Sequence, residues 1–232
     1  MISIQNLVKR YYGETVLNIP ALEISKGECF GLVGNNGAGK TTLFRLILDL
    51  IRSTSGTVTL FGRAVHQTED WKTQVGSYLD EHMLLPFLTP DEYFDMLREV
   101  YQVSPKAAED RLRQFDPLFN DEIRFKKKYI RSLSKGNRKK TGIAAAFLSE
   151  PDLIILDEPF ENLDPTSQNR LKKLITTENK NQETTFLISS HDLVHVTDIC
   201  SRIVLLEKGT VVQDLSGKKE EMATQLNQYF DR

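Results

Sequence analysis

Gly34-Asn35-Asn36-Gly37-Ala38-Gly39-Lys40-Thr41-Thr42 decides the fold of this chain. Its first eight residues satisfy GxxxxGK[ST], with an apolar run from Cys29 to Val33 before it and an apolar-striped segment, KTTLFRLILDLI, after it. Strand, glycine loop, helix is the order that a phosphate cradle needs. Glycines let the backbone curl so that successive N–H groups point at phosphate oxygens, and a helix starting near Lys40 adds the equivalent of roughly half a positive charge. Lys40 is then a compact cation for terminal phosphates, Thr41 a hydroxyl for Mg²⁺, and Thr42 a further phosphate contact. A glycine turn that bound nothing would have no packing reason to place Lys-Thr-Thr at a helix start.

Outward from this loop, Ile2 to Leu7, Val16 to Ile24 and Thr57 to Phe61 read as strands between Gly, Pro and Lys punctuation. Far downstream, Leu153-Ile154-Ile155-Leu156-Asp157-Glu158 is an almost continuous apolar run ending in two acids. That is the pattern of a central parallel strand delivering carboxylates at its C-terminal edge. Burying such acids without a cation is expensive. Asp157 is therefore expected to serve Mg²⁺, and Glu158 to polarise an attacking water. His191 follows the apolar strand TTFLIS and Ser189-Ser190, so it is expected at the same edge, contacting a γ-phosphate and orienting that water. Helices are expected from Ser134, Asp164 and Asp192, with a hairpin around Lys208-Gly209 and a short terminal helix in GKKEEMATQLNQYF. Alternating strands and helices imply an α/β fold with a mainly parallel sheet.

The segment from Pro90 to about Arg131 changes character. DEYFDMLREVY and AAEDRLRQF give two amphipathic helical patterns, broken by Ser104-Pro105 and Asp116-Pro117. We read one domain over 1–232: a core with a β subdomain over 1–89 and 150–232, and a helical insertion over 90–149. With 30 basic and 32 acidic residues and a net charge of -2, the totals advertise no nucleic-acid surface, and no direct nucleic-acid partner is expected. No stretch approaches the roughly 20 apolar residues of a membrane span. MISIQNLVKRYYG lacks the apolar core of a signal peptide and reads as a first strand, so secretion is not expected. Two cysteines, Cys29 and Cys200, lack metal-ligand spacing and are expected to stay unpaired in a reducing cytosol.

GNNGAGKTT, LSKGN, LIILDEP, ENLDP and SSH occur in the order and approximate spacing of the ABC ATPases, and this resemblance covers nearly the whole chain. It implies a P-loop NTPase core with an N-terminal antiparallel β subdomain and a helical subdomain carrying the signature. It also implies ATP and Mg²⁺ as ligands and ATP hydrolysis as the reaction. Leu133-Ser134-Lys135-Gly136-Asn137 resembles the family's LSGGQ signature, which binds ATP held by the opposite subunit of a head-to-tail dimer. Ser134, Lys135, Gly136 and Asn137 are the implied contacts in trans. Ser134 can independently cap the following helix and present its amides to an anion. Lys135 and Asn137 depart from the usual Gly and Gln, and a Lys at the first position resembles the branch that exports drugs, sodium or polysaccharide.

Asn162-Leu163-Asp164 resembles the D-loop that communicates between the two sites, although Asp164 before Pro165 is also a plain helix N-cap. The adenine-stacking aromatic is expected within Lys9-Arg10-Tyr11-Tyr12-Gly13, where spacing to Val16 favours Tyr11 and adjacency to Gly13 favours Tyr12; Tyr11 is preferred. Where the family has a Gln that contacts Mg²⁺ and senses a membrane subunit, this chain has Asp80, which could still offer a metal oxygen. The apolar stretch His82 to Phe87 either borders the groove for a membrane-subunit helix or packs internally. The resemblance thus points to an ATPase subunit on the cytoplasmic face of a membrane, paired with a second ATPase subunit and powering a separate transmembrane subunit in an export system. A non-transport ABC ATPase acting on a nucleic-acid or ribosomal partner is the alternative. Against its chromosome-maintenance members, which carry a long coiled coil between phosphate loop and signature, Lys40 and Ser134 lie fewer than a hundred residues apart with no heptads between them.

Overall fold

The computed structural model describes residues 1–230. The chain opens with β1 (Ile2–Tyr11) and β2 (Glu14–Ile24), antiparallel and joined by Tyr12 and Gly13, both at positive φ. β3 (Cys29–Val33) leads through the glycine loop into α1 (Lys40–Ile47). β4 (Ser55–Leu60) returns to pair with β1, placing Ile2 opposite Leu60, and β5 (Arg63–Ala64) pairs with β4. β6 (Val75–Tyr78) precedes a helical stretch made of α2 (Pro90–Val100), α3 (Pro105–Arg113), α4 (Asp116–Phe119) and α5 (Lys135–Phe147). Then follow β7 (Leu153–Leu156), α6 (Pro165–Gln182), β8 (Thr185–Ser190), α7 (Leu193–Ile199), β9 (Arg202–Glu207), β10 (Thr210–Ser216) and α8 (Lys219–Phe230).

Two sheets result. The smaller is antiparallel in the order β2-β1-β4-β5; the larger runs β10-β9-β3-β8-β7-β6, parallel except for the β9–β10 hairpin. Both faces of the large sheet are covered, so its strands read as continuous apolar runs whose alternate residues enter different cores. Phe30, Leu32, Leu153, Ile155, Leu187 and Val204 join α1 and the small sheet. Val33, Ile154, Leu156, Phe186, Ile188 and Ile203 face the helices, among them Phe115, Phe147 and Leu171.

Two local outcomes differ from the sequence reading, and a third, the unpaired state of the two cysteines, agrees with it. The helix expected through Ile51 ends at Ile47, because Asp49 adopts φ +50 and the Leu50 amide donates back to the Arg45 carbonyl at 2.9 Å, a left-handed stop. β6 is a strand that the sequence does not announce. Its Val-Gly-Ser-Tyr forms a strand through pairing with β7 and through α5 lying hard against it: a Cβ on Gly76 would meet the Ala146 carbonyl at 1.8 Å, and one on Gly142 would meet the Tyr78 ring at 2.2 Å. Cys29 and Cys200, remote in sequence, are buried neighbours with sulfurs 3.8 Å apart and remain free thiols.

Candidate active site

The parallel register puts the ends of β3, β7 and β8 at one edge, so the loops leaving them converge there. Gly34 has no room for a side chain: a Cβ would sit 2.3 Å from the Leu206 carbonyl, so the loop can run flush along β9. Gly37, at φ +82, instead faces open space, which leaves its backbone accessible to a ligand. Gly39, also left-handed, starts α1, and Ala38 is pinned on both sides, its amide donating to Asn35 and its carbonyl accepting from Gly209. Lys40 is buried; its Nζ donates to the Gly34 carbonyl at 2.6 Å and lies 3.3 Å from Glu158 Oε1.

Asp157 is held from three directions. Its amide donates to the Tyr78 carbonyl at 2.9 Å, Thr41 Oγ1 donates to its Oδ2 at 2.5 Å, and Ser189 donates to its Oδ1. Burial pushes its carboxyl above the ordinary range, against the lowering effect of the two hydroxyls. A buried acid raised in this way gains most from a cation. Thr41 and Asp157 are hard oxygen donors of the kind Mg²⁺ takes, so the residues fit the ion. Among the described residues there is no group of three or more His, Cys, Asp or Glu suited to a metal, so phosphate and water would have to complete any coordination.

Glu158 sits at φ +47 with its amide donating to Ser189 Oγ at 2.9 Å. Its Oε2 lies 3.0 Å from His191 Nδ1 and 3.3 Å from the His191 amide. Lys40, Thr41, Asp157, Glu158 and His191 are thus one cluster. Ser189 is the member that the sequence reading left without a role: it bridges the Asp157 carboxylate and the Glu158 amide. Its signal is the Ser-Ser pair at the strand end before His191.

The other expected residues lie at varying remove. Ser134 caps α5 by accepting from the Asn137 amide at 3.2 Å, Asn137 donates its side-chain amide to Glu122, and Lys135 opens the helix. Gly136 passes so close to Asn162 that a Cβ would lie 2.9 Å from its carbonyl. Leu163 is buried; Asp164 caps α6 through Ser167, whose hydrogen bonds lower its carboxyl pKa, and Lys140 stands 3.9 Å from it. Asp80 accepts from the His82 amide at 2.7 Å and lies 3.5 Å from an Arg45 nitrogen, one helical turn beyond Thr41. Tyr11 is partly exposed with the Lys9 ammonium 4.6 Å from its ring, and Tyr12 is fully exposed. Neither lines the pocket of about 230 Å³ beside the loop, which is formed by Gly34 to Ala38, Leu205 to Lys208 and Tyr229. Of His82 to Phe87, Leu84 is buried in the helical core while Met83 and Phe87 are exposed.

A family model described as ABC transporter matches residues 17–161. The chain belongs to the ABC transporter ATP-binding family. A second model, an AAA domain described as a putative AbiEii toxin of a Type IV TA system, matches 126–197. The bacitracin transport ATP-binding protein BcrA of Enterococcus faecalis is 32% identical over 217 residues, covering 93% of this cassette and 69% of that protein. An uncharacterized ABC transporter ATP-binding protein of Synechocystis is 34% identical over 193 residues, covering 83% of the cassette, which spans only 54% of that relative's length. Among solved structures, a dimeric bacterial ABC transporter cassette superimposes with a TM-score of 0.82 at 26% identity, covering 93% of this chain and 98% of that one. The cassette is thus an α/β ATPase domain that binds ATP.

Proposed function

We propose that this cassette hydrolyses Mg-ATP as one of two paired ATPase subunits and so powers a separate transmembrane subunit. The observation that carries the reading is the junction of Lys40, Thr41, Asp157, Glu158 and His191 at one sheet edge, with Glu158 within 3.3 Å of both Lys40 and His191. Gly34 to Thr42 would hold the phosphates, with Lys40 exchanging its loop carbonyls and Glu158 for phosphate oxygens. Thr41 and Asp157, with Asp80 as a further oxygen, would hold Mg²⁺, which neutralises charge developing on the transferred phosphoryl group. Glu158 takes a proton from water, and His191, joined to it, fixes the carboxylate's direction. Ser134, Lys135, Gly136 and Asn137 would cap the partner's nucleotide, with Asn162, Leu163 and Asp164 beside them linking the two sites. Tyr11 is the proposed adenine platform.

No helix among the described residues is long and apolar enough to cross a membrane. The likeness to ABC transporter ATP-binding proteins supports a separate membrane subunit as partner, with the cassette on its cytoplasmic face. Lys135 in the signature favours export, and the likeness to a bacitracin transport protein supports a transport role.

The test is light scattering of Glu158→Gln with and without Mg-ATP, beside phosphate release by the parent chain. Loss of the base should cut turnover by about 10²- to 10⁴-fold while ATP drives dimerisation. Turnover undiminished in the variant, or ATP binding with no dimer, would sink the reading.

A further inference from the structure

We propose that Lys139 is a positioning residue for Glu158, tying the helix after the signature to the peptide that aims the carboxylate. The inference rests on the reading of Glu158 as the water-activating group. Lys139 lies in the second turn of α5, and its Nζ donates to the Glu158 carbonyl at 2.6 Å. The residue is only 8% exposed, and the Glu161 carboxylate stands 3.9 Å away. Burial lowers its pKa, opposed by Glu161, Glu158 and Asp157, because taking an ammonium out of water is unfavourable. Further along the same helix, Ile143, Ala144 and Ala146 are buried with no polar group. An apolar residue at 139 would avoid the desolvation, so the charge is explained by what it grips.

What it grips is strained. Glu158 lies at φ +47, a left-handed conformation that is unfavourable for a residue with a Cβ. Its amide is fixed by Ser189 Oγ at 2.9 Å and its carbonyl by Lys139 at 2.6 Å, so both peptide groups flanking its Cα are held. These two anchors set the direction of the Cα–Cβ bond, from which the side chain reaches Lys40 and His191. Releasing the carbonyl lets the backbone leave the left-handed region and carries the carboxylate off its line. Since Ser134 caps α5, displacement of the signature reaches Glu158 through this bond. The adjacent Lys140 takes a different route, to Asp164 at 3.9 Å.

The experiment compares full-length Lys139→Met, Lys139→Gln and Lys139→Arg with the parent, using Glu158→Gln as reference. It reads kcat and KM for Mg-ATP, and amide hydrogen exchange over 157–163. Lys139→Met should lower kcat at least about tenfold with KM within about twofold, part of the 10²- to 10⁴-fold that a positioned base supplies. Exchange over 157–163 should quicken while that of the signature end of α5 stays as it is. Lys139→Arg, which keeps the charged donor, should recover most of kcat, and Lys139→Gln part of it; should the Met variant not fold, the Gln variant's kcat and KM decide. Parental kcat in the Met variant, or exchange over 157–163 unchanged, overturns the proposal provided that Glu158→Gln has abolished turnover. If Glu158→Gln itself turns over normally, the reading of Glu158 is what has failed.

Discussion

The sheet edge at Asp157 and the boundary between the helical stretch and the core are built on opposite principles. At the edge, positions are fixed by backbone: parallel register sets β3, β7 and β8, and short hydroxyl bonds from Thr41 and Ser189 complete the placement. At the boundary the ties include long charged side chains crossing between elements: Arg111 to Glu178, Lys139 to the Glu158 carbonyl, Lys140 to Asp164 and Arg138 to Glu81. Chemistry that tolerates about 1 Å of misplacement poorly sits where the backbone decides. Beneath these ties the helices share an apolar core with the sheet, as where the Phe147 ring lies 5.7 Å from that of Phe186, so a change of rotamer at the tips can shift the rim of the boundary while that core stays packed.

The largest effect on this contrast should come from the Arg111–Glu178 pair. Arg111 of α3 meets the Glu178 carboxylate of α6 through both terminal nitrogens and donates its Nε to the Phe147 carbonyl at 3.0 Å, with both side chains nearly sealed. Glu178→Ala leaves a buried guanidinium uncompensated, which should cost about 3–5 kcal/mol of stability. At roughly 2–4 °C per kcal/mol for a chain of this size, calorimetry should show a fall of about 10 °C. The double replacement Arg111→Met with Glu178→Leu should recover most of it, because the pair's attraction barely exceeds its desolvation. If the single variant melts with the parent, the boundary is held by apolar packing and the contrast fails.

Asp157 breaks the comparison from the other side, since its raised pKa marks a carboxylate kept at the expense of stability. A folded-state pKa above the unfolded one favours the fold below the unfolded pKa and loses that benefit as pH rises through the folded one. Near neutral pH the ionised group therefore weighs against the fold. Asp157→Asn should raise the melting temperature of the nucleotide-free chain at pH 7, and the gain should shrink as pH falls toward 4. Equal melting of the two proteins at both pH values would show that the hydroxyl bonds already offset burial. The same variant should lose Mg-dependent turnover.

The edge was also the more legible region in sequence. A glycine loop between apolar runs and a strand ending in two acids are local patterns, so Lys40, Thr41, Asp157 and Glu158 could be named before any contact was known. Lys139 could not, and Ser189 offered only the Ser-Ser pair at its strand end, since their partners lie 19 and 32 residues away in the chain and meet them only once β7, β8 and α5 are stacked. β6 escaped for the same reason: Val-Gly-Ser-Tyr has no alternation, and its extended state is imposed by β7 on one side and α5 above Gly76. The helical insertion was legible as helices from its Ser-Pro and Asp-Pro breaks. Its attachment was not, because charged residues on an amphipathic pattern read as a solvated face until Arg111 and Lys139 are seen buried.

Asp80 lies between the two regions, and its replacement should give the smallest effect. It leaves β6 at the catalytic edge, yet its carboxylate is engaged by the His82 amide and by Arg45, with both side chains well exposed. Exposed pairs of this kind contribute about 0–1 kcal/mol, and the cap accepted by Oδ1 about as much again. Asp80→Gln keeps an oxygen for the amide and for Mg²⁺ while removing the charge that Arg45 neutralises. Its melting temperature should therefore stay within about 3 °C of the parent. The apparent Mg²⁺ requirement for ATP turnover is the sharper measurement. If Asp80 serves the metal, removing a negative ligand should raise the Mg²⁺ concentration at half-maximal rate by a few-fold. If Arg45 occupies it fully, the requirement should not move, and the residue belongs with the side-chain ties of the boundary instead of with the sheet edge.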